Sequence, residues 1–159
     1  MAKRIDYAKL APGGVRAIMG VESWVRQSGL DETLIHLTKL RASYLNGCAY
    51  CIDMHTKDAR VAGETEQRIY SVPVWRETPF YTPRERAALL WTEVVTELGR
   101  EGVSDAVYEE VRSLFTEEEI VNLTMAVIAI NMWNRLAISL GADVGSYQPA
   151  AAAPSSAAA

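Results

Sequence analysis

Residues 37–60 read LTKLRASYLNGCAYCIDMHTKDAR, a stretch that contains both cysteines and one of the two histidines of the chain. Its first half continues an amphipathic helix pattern, because leucines such as Leu37 and Leu40 recur along one side. Asn46 and Gly47 then form a stop-and-turn pair, so the cysteines begin a fresh helix. The C-x-x-C pair of a thioredoxin fold instead belongs to a β-α-β pattern. The stretch therefore predicts two successive helices and argues against a thioredoxin-like sheet.

The second of these helices carries a stripe of chemically reactive side chains. At about 100° per residue, Cys48 and His55 point almost the same way, and Cys51 lies between them. Cys51 and His55 are i,i+4 neighbours, so the imidazole can take the thiol proton directly or through one water. Backbone N–H groups at a helix start stabilise a thiolate, and a second thiol can capture an oxidised first one as a disulfide. The stripe predicts a redox pair.

Two other interpretations of the same residues stay open at this point. Cys48, Cys51, His55 and His36 would supply two sulfur and two nitrogen ligands, enough for a tetrahedral zinc ion. The spacing is not that of a common zinc module, however, and His36 would have to come from another helix. The third interpretation is that the cysteines are inert core residues, since buried cysteines often are.

The whole chain has a helical pattern, which predicts an all-α fold. Capping boxes are indicated at Thr82 with Glu85 and at Thr116 with Glu119, each before an apolar periodic run. The loop SVPVWRETPFY, with two prolines and three aromatic residues, is expected to pack as an ordered crossing. The sequence places helices at about 13–28, 31–45, 48–62, 64–71, 82–98, 104–115 and 117–140. Residues 1–145 are expected to form one helical domain, and the low-complexity residues 146–159 a flexible tail.

Composition limits the partners and the compartment. The 159 residues fit one domain, the net charge is −4, and the basic residues form no run, which argues against nucleic acid and anionic membrane surfaces. The N-terminus lacks the apolar stretch of a secretory signal. The longest apolar segment, residues 120–133, is interrupted by polar residues and is shorter than the roughly 20 apolar residues that a span needs. We therefore expect a cytoplasmic protein, and there a close cysteine pair is more often catalytic or metal-binding than structural.

Three segments resemble the AhpD-like alkylhydroperoxidase family within the carboxymuconolactone decarboxylase superfamily. They are residues 37–60, the segment IYSVPVWRETPFYTPRERAALLWTE and the segment NMWNRLAISLG, and the resemblance extends over about residues 10 to 142. It implies an orthogonal domain of about six or seven helices that assembles into homo-oligomers, often trimers or hexamers. It also implies thiol-dependent reduction of organic hydroperoxides in antioxidant defence, without a cofactor. A dithiol donor such as a lipoyl-bearing protein would recycle the disulfide.

The resemblance also implies a role for each site residue. Cys51 takes the position of the peroxidatic thiol, Cys48 that of the resolving thiol and His55 that of the relay base. The helix dipole alone would favour Cys48 as the more acidic thiol, because it lies nearer the helix start. The family's upstream glutamate, twelve residues before the first cysteine, is His36 here. A family histidine just before the peroxidatic cysteine is Tyr50, which is expected to bind substrate.

Other polar residues near these positions allow weaker expectations. His36 can accept a proton when neutral, and Glu32, one turn earlier, is placed to orient it. The alternative is that His36 is a solvated surface residue. Glu22 is a carboxylate that could replace the family's glutamate, but a lone charge on an amphipathic helix is expected to be solvated. Asn131 and Asn134 need hydrogen-bond partners if they are buried.

Overall fold

A computed structural model describes residues 3–150 and shows an all-α architecture, as the sequence predicts. The elements are α1 (Tyr7–Leu10), α2 (Pro12–Gln27), α3 (Glu32–Asn46), α4 (Ala49–Val61), α5 (Glu66–Ser71), a 3-10 helix (Val72–Glu77), α6 (Pro83–Thr96), α7 (Asp105–Arg112) and α8 (Glu117–Leu140). Within residues 3–150 there is no strand. The seven predicted helices correspond to α2–α8, and their ends agree within three residues. The short α1 and the 3-10 helix were not predicted.

The two predicted capping boxes begin α6 and α8, which both pack against α3. The Thr82 hydroxyl accepts a hydrogen bond from the Glu85 N–H at 3.3 Å, and the Glu85 carboxylate accepts one from the Thr82 N–H at 2.7 Å. The reciprocal pair at Thr116 and Glu119 measures 3.2 and 2.9 Å. Because each box satisfies donors that a helix start leaves unpaired, it determines where α6 and α8 begin.

The predicted crossing between α5 and α6 is ordered, and a buried carboxylate holds it. Glu93 of α6 accepts hydrogen bonds from the Trp75 indole at 2.6 Å and from the Arg41 guanidinium at 2.8 Å. Arg76 pairs with the other carboxylate oxygen at 2.5 Å. These contacts join α3, the 3-10 helix and α6, so the crossing forms part of the packed domain.

Helices α3 and α8 form the centre of the domain. Helix α3 packs against α4, α6 and α8, while α8 also packs against α2. Nine side chains of α8 are buried, among them Leu123, Ile130 and Asn134. By length and composition α8, which extends beyond the apolar residues 120–133 at both ends, is apolar enough to cross a membrane. One such helix is weak support for a span, because a core helix passes the same test, and the buried Asn134 here has protein partners.

The chain beyond α8 turns back onto α4. Tyr147 lies beyond the boundary at residue 145, yet its hydroxyl donates to the Asp58 carboxylate at 2.7 Å. Its carbonyl oxygen accepts a hydrogen bond from Lys57 at 3.0 Å. The chain therefore contacts the helical domain at least as far as Tyr147. Residues 151–159 of the predicted tail lie outside the described residues.

Candidate redox site

The turn between α3 and α4 determines where the cysteines lie. Gly47 ends α3 in the left-handed conformation, with φ 68° and ψ 34°, which glycine adopts without the steric cost of a side chain. The Asn46 side-chain amide donates to Asn131 at 2.9 Å and to Asn134 at 2.8 Å, both on α8. Asn134 in turn donates to the Ser43 hydroxyl at 3.2 Å. This network supplies the partners of the buried Asn134 and the half-buried Asn131, and it holds the turn against α8.

Cys48 and Cys51 form a disulfide at the start of α4. Cys48 is the N-cap, and its Sγ accepts a hydrogen bond from the Cys51 N–H at 3.4 Å. The two Cα atoms are 5.3 Å apart, a usual separation for a disulfide. Each cysteine is only 1% exposed, and both pack in an apolar cluster with Ala42, Ile130 and Ala137. The sequence prediction that the thiols share the first turn of a helix is therefore confirmed.

His55 lies one helical turn beyond Cys51 and is buried. Within residues 3–150 its Nε2 has no hydrogen-bond partner, and its Nδ1 lies 3.7 Å from Oδ2 of Asp58, within ion-pair range. Burial lowers the pKa of His55 below its ordinary value; Asp58 opposes this shift, and the positive charge of Lys39 adds to it. The imidazole is therefore neutral near neutral pH and can accept a proton.

His36 is neither a solvated surface residue nor a hydrogen-bond partner of the cysteines or His55. Neither ring nitrogen has a hydrogen-bond partner in the described part of the chain, and Nε2 lies 3.6 Å from Oε1 of Glu32, as the i,i+4 spacing predicts. Burial lowers the pKa of His36, while Glu32 and Asp58 oppose the shift. The ring lines a cleft of about 300 Å³ together with Glu64 and Arg68.

The described residues do not form a metal site. Across residues 3–150, no three or more His, Cys, Asp or Glu side chains are arranged to hold a metal ion. The two sulfurs are joined to each other as a disulfide. This geometry gives the zinc interpretation no support.

Asp58 is a site residue that the sequence analysis did not identify. Its Oδ2 lies near His55, and its Oδ1 accepts a hydrogen bond from Tyr147. Burial alone would raise the pKa of the Asp58 carboxyl, but the contacts with His55 and Tyr147 outweigh it and hold the pKa below its usual value. The i,i+3 spacing from His55 was a usable signal, whereas Tyr147 is 89 residues away in the sequence.

Glu22 is not the solvated residue that the sequence led us to expect. Its carboxylate pairs with the Lys39 ammonium at 2.5 Å, and the two side chains are only 6% and 7% exposed. An amphipathic pattern cannot show this pairing, because the partners lie on α2 and α3 and meet only in the folded chain. Both charges act on the pKa of His55, so the pair belongs to the surroundings of the site.

Tyr50 lies beside the disulfide and is half-buried. It packs against the apolar cluster that contains both sulfurs. Its predicted role in substrate binding remains a prediction, because packing of this kind also suits a structural residue.

An all-α domain with a C-x-x-C disulfide at a helix start, followed one turn later by a buried histidine, defines a class of AhpD-like proteins. The chain belongs to the carboxymuconolactone decarboxylase family, whose sequence model matches residues 12–94, from α2 into α6. This match includes both cysteines, His55 and Asp58. The resemblance found in the sequence is therefore confirmed.

Three relatives show how far the similarity extends. The uncharacterized protein YdfG of Bacillus subtilis is 45% identical over 141 residues, which are 89% of this chain and 96% of YdfG. A crystal structure from Agrobacterium tumefaciens, described as a protein of unknown function and a candidate antioxidant defence protein AhpD, is 47% identical with a TM-score of 0.87, over 90% of this chain and 98% of that one. An uncharacterized peroxidase-related protein with an AhpD core from Ralstonia eutropha has a TM-score of 0.77 at 22% identity, over 87% of this chain and 74% of that one, and so shows the fold alone.

Proposed function

We propose that this protein is a cytoplasmic thiol-dependent peroxidase that reduces organic hydroperoxides in antioxidant defence. The observation that carries the proposal is the pairing of Cys48 and Cys51 at a helix start, one turn before a buried histidine whose Nε2 has no hydrogen-bond partner among the described residues. A neutral imidazole there is a base for a thiol, and the second sulfur is close enough to form a disulfide. Membership of a family with AhpD-like structures supports the same role.

The proposed reaction begins with the reduced protein. His55 takes the Cys51 proton, and the thiolate attacks one oxygen of the hydroperoxide, so that a sulfur–oxygen bond forms as the O–O bond breaks. The departing alkoxide takes the proton from His55 and leaves as the alcohol, which leaves a sulfenic acid on Cys51. The Cys48 sulfur then attacks the Cys51 sulfur, and the hydroxide released combines with the Cys48 proton to give water.

A dithiol donor closes the cycle. The hydroperoxide has gained two electrons and the cysteine pair has lost them, so each turnover consumes one dithiol. A thiolate of the donor attacks the disulfide, and its second thiol resolves the mixed disulfide by thiol–disulfide exchange. A lipoyl-bearing protein is a donor of suitable chemistry. Assembly into a trimer or hexamer is part of the proposal and is tested by sedimentation of the purified protein.

The experiment follows consumption of an organic hydroperoxide, cumene hydroperoxide, with dihydrolipoamide as the donor. We expect steady-state turnover by the wild type and none by Cys51→Ser or Cys48→Ser. The chain has only two cysteines, so no other thiol can replace either one. A wild type that consumes peroxide no faster than Cys51→Ser would end the proposal.

A second measurement separates the roles of the two sulfurs. The Cys51 N–H that points at Cys48 Sγ favours negative charge on Cys48, whereas His55 lies nearer Cys51 in the helix. One equivalent of peroxide followed by dimedone traps any sulfenic acid that forms. We expect the adduct on Cys51 in Cys48→Ser and no adduct in Cys51→Ser; the reverse pattern would exchange the two roles.

The burial of the disulfide favours one alternative, a redox sensor without turnover. Each cysteine is 1% exposed, which restricts the approach of a macromolecular donor. A sensor would form the disulfide once with peroxide and would then not be recycled by any dithiol donor. Single-turnover oxidation without steady-state consumption would therefore select this alternative.

A further inference from the structure

The segment after α8 is tied to the helix that carries the cysteines. We call residues 142–147 the C-terminal strap. The Gly145 N–H donates to the Asp53 carboxylate at 3.2 Å, and Lys57 donates to the Tyr147 carbonyl at 3.0 Å. Ala142 packs against the apolar cluster that contains both sulfurs. The strap therefore lies alongside the redox site.

The strap also places a phenol on the carboxylate next to His55. Tyr147 donates its hydroxyl to Oδ1 of Asp58 at 2.7 Å, and Oδ2 of the same carboxylate is 3.7 Å from His55 Nδ1. Burial and the neighbouring carboxylate raise the pKa of Tyr147 to about 12. The hydroxyl thus keeps its proton near neutral pH and acts as a donor.

Asp58 differs from the other carboxylate that acts on His55. The charge of Glu22 is compensated by Lys39, with which it pairs at 2.5 Å. Among the ion pairs of residues 3–150, Asp58 is paired with His55. His36 of α3 acts on Asp58 over a longer distance and also lowers its pKa. Asp58 is therefore the carboxylate whose charge is available to a protonated His55.

We propose that Asp58 and Tyr147 are positioning residues for His55. The Asp58 carboxylate, fixed by the Tyr147 hydroxyl, stabilises the imidazolium that forms when His55 takes the Cys51 proton. This inference rests on the proposed function for its biological meaning, but it concerns the acidity of Cys51, which can be measured without any peroxide. It also assigns a task to the strap, because the strap delivers the residue that fixes the carboxylate.

The test measures the pKa of Cys51 directly. Reduced protein in a Cys48→Ser background is titrated by the ultraviolet absorbance of the thiolate, with the Cys48→Ser/Cys51→Ser double variant as the blank. Asp58→Asn keeps the shape of the side chain and removes the charge, so we expect the pKa of Cys51 to rise by about one unit. At pH values below that pKa, such a shift leaves about tenfold less thiolate. Tyr147→Phe removes only the hydroxyl and is expected to shift the titration in the same direction by roughly a third as much.

The double variant and a matched control make the test specific. If Tyr147 acts through Asp58, then Asp58→Asn/Tyr147→Phe titrates like Asp58→Asn alone. Asp53→Asn is the control, because it loosens the same strap without removing a charge beside His55, and we expect a shift no larger than that of Tyr147→Phe. Asp58→Glu restores the charge and is expected to recover part of the effect.

Three results would overturn the inference. They are an unchanged Cys51 pKa in Asp58→Asn, additive Cys51 pKa shifts in Asp58→Asn/Tyr147→Phe, and a Cys51 pKa shift in Asp53→Asn as large as that in Asp58→Asn. If Asp58→Asn does not fold by circular dichroism, Tyr147→Phe and Asp58→Glu decide the question. If the wild type has no peroxidase activity but Asp58→Asn still raises the pKa of Cys51, the proposed function is refuted and this inference stands.

Discussion

The buried ion pair between α2 and α3 gives the sharpest test of how this domain is stabilised. Lys39 and Glu22 are 2.5 Å apart, and their side chains are nearly as inaccessible as the apolar core. Lys39→Met keeps the length of the side chain and removes its charge, so the Glu22 carboxylate remains buried without a cation. Breaking one side of a buried pair costs about 3–5 kcal/mol, which is a large part of the roughly 5–15 kcal/mol that stabilises a domain.

Removing both charges is expected to have a much smaller effect. In Glu22→Leu/Lys39→Met no buried charge remains, and apolar replacements of buried pairs are often neutral or stabilising. Urea unfolding of the wild type, Lys39→Met and the double variant, followed by circular dichroism, measures the difference. Arg60→Met is the control, because it breaks the exposed pair with Glu66, and exposed pairs contribute little.

The order of the urea midpoints decides the matter. We expect Lys39→Met to unfold at the lowest urea concentration, with the double variant close to the wild type. If Lys39→Met and the double variant unfold at the same concentration, the cost does not come from an unpaired carboxylate and the reasoning fails. A second readout is the pKa of His55: the Lys39 charge lowers it, so Lys39→Met should raise it.

Two further predictions concern the histidine and the turn. The pKa of His55 is lower in the folded state, so below about pH 6.5 the unfolded chain binds more protons than the folded one. As the pH is lowered from there, the free energy of unfolding should decrease by up to about 1.4 kcal/mol per pH unit. Urea midpoints against pH should show a shallower fall in His55→Gln, and identical slopes would contradict the buried neutral imidazole. Gly47→Ala should cost about 1–2 kcal/mol, because φ is +68° and no atom lies within 4 Å of an added Cβ. Gly99→Ala, without a positive φ, should stay near the wild-type urea midpoint, and equal losses in the two variants would refute the conformational argument.

The fold was largely predictable because its signals are local. Capping boxes at Thr82 and Thr116 and apolar residues at helical spacing define where α6 and α8 begin, and neither depends on distant contacts. Helix α1 has only four residues, Tyr7–Leu10, which is too short for a periodic pattern to be visible. The 3-10 helix lies within a proline-containing loop and depends on contacts such as the one between Trp75 and Glu93.

The site was predictable where it lies along one helix and unpredictable where it depends on packing. Cys48, Cys51 and His55 were identified from their spacing alone. Tyr147 could not be, because nothing in a short C-terminal segment indicates that it returns to α4. The pairing of Glu22 with Lys39 was equally hidden, since each residue alone suits a solvated helix face.

The surroundings of His55 explain how a buried histidine could serve as the base in the proposed reaction. Burial and the Lys39 charge favour the neutral ring, so the imidazole is ready to accept a proton before the thiol ionises. Asp58 acts in the opposite direction and favours the protonated ring once the transfer has occurred. A histidine with burial alone would hold the proton poorly, and one with the carboxylate alone would already be protonated at a higher pH. In the proposed mechanism, the opposition of these effects, supplied by α3 and by α4 with the strap, would let His55 both accept the Cys51 proton and release it within one cycle.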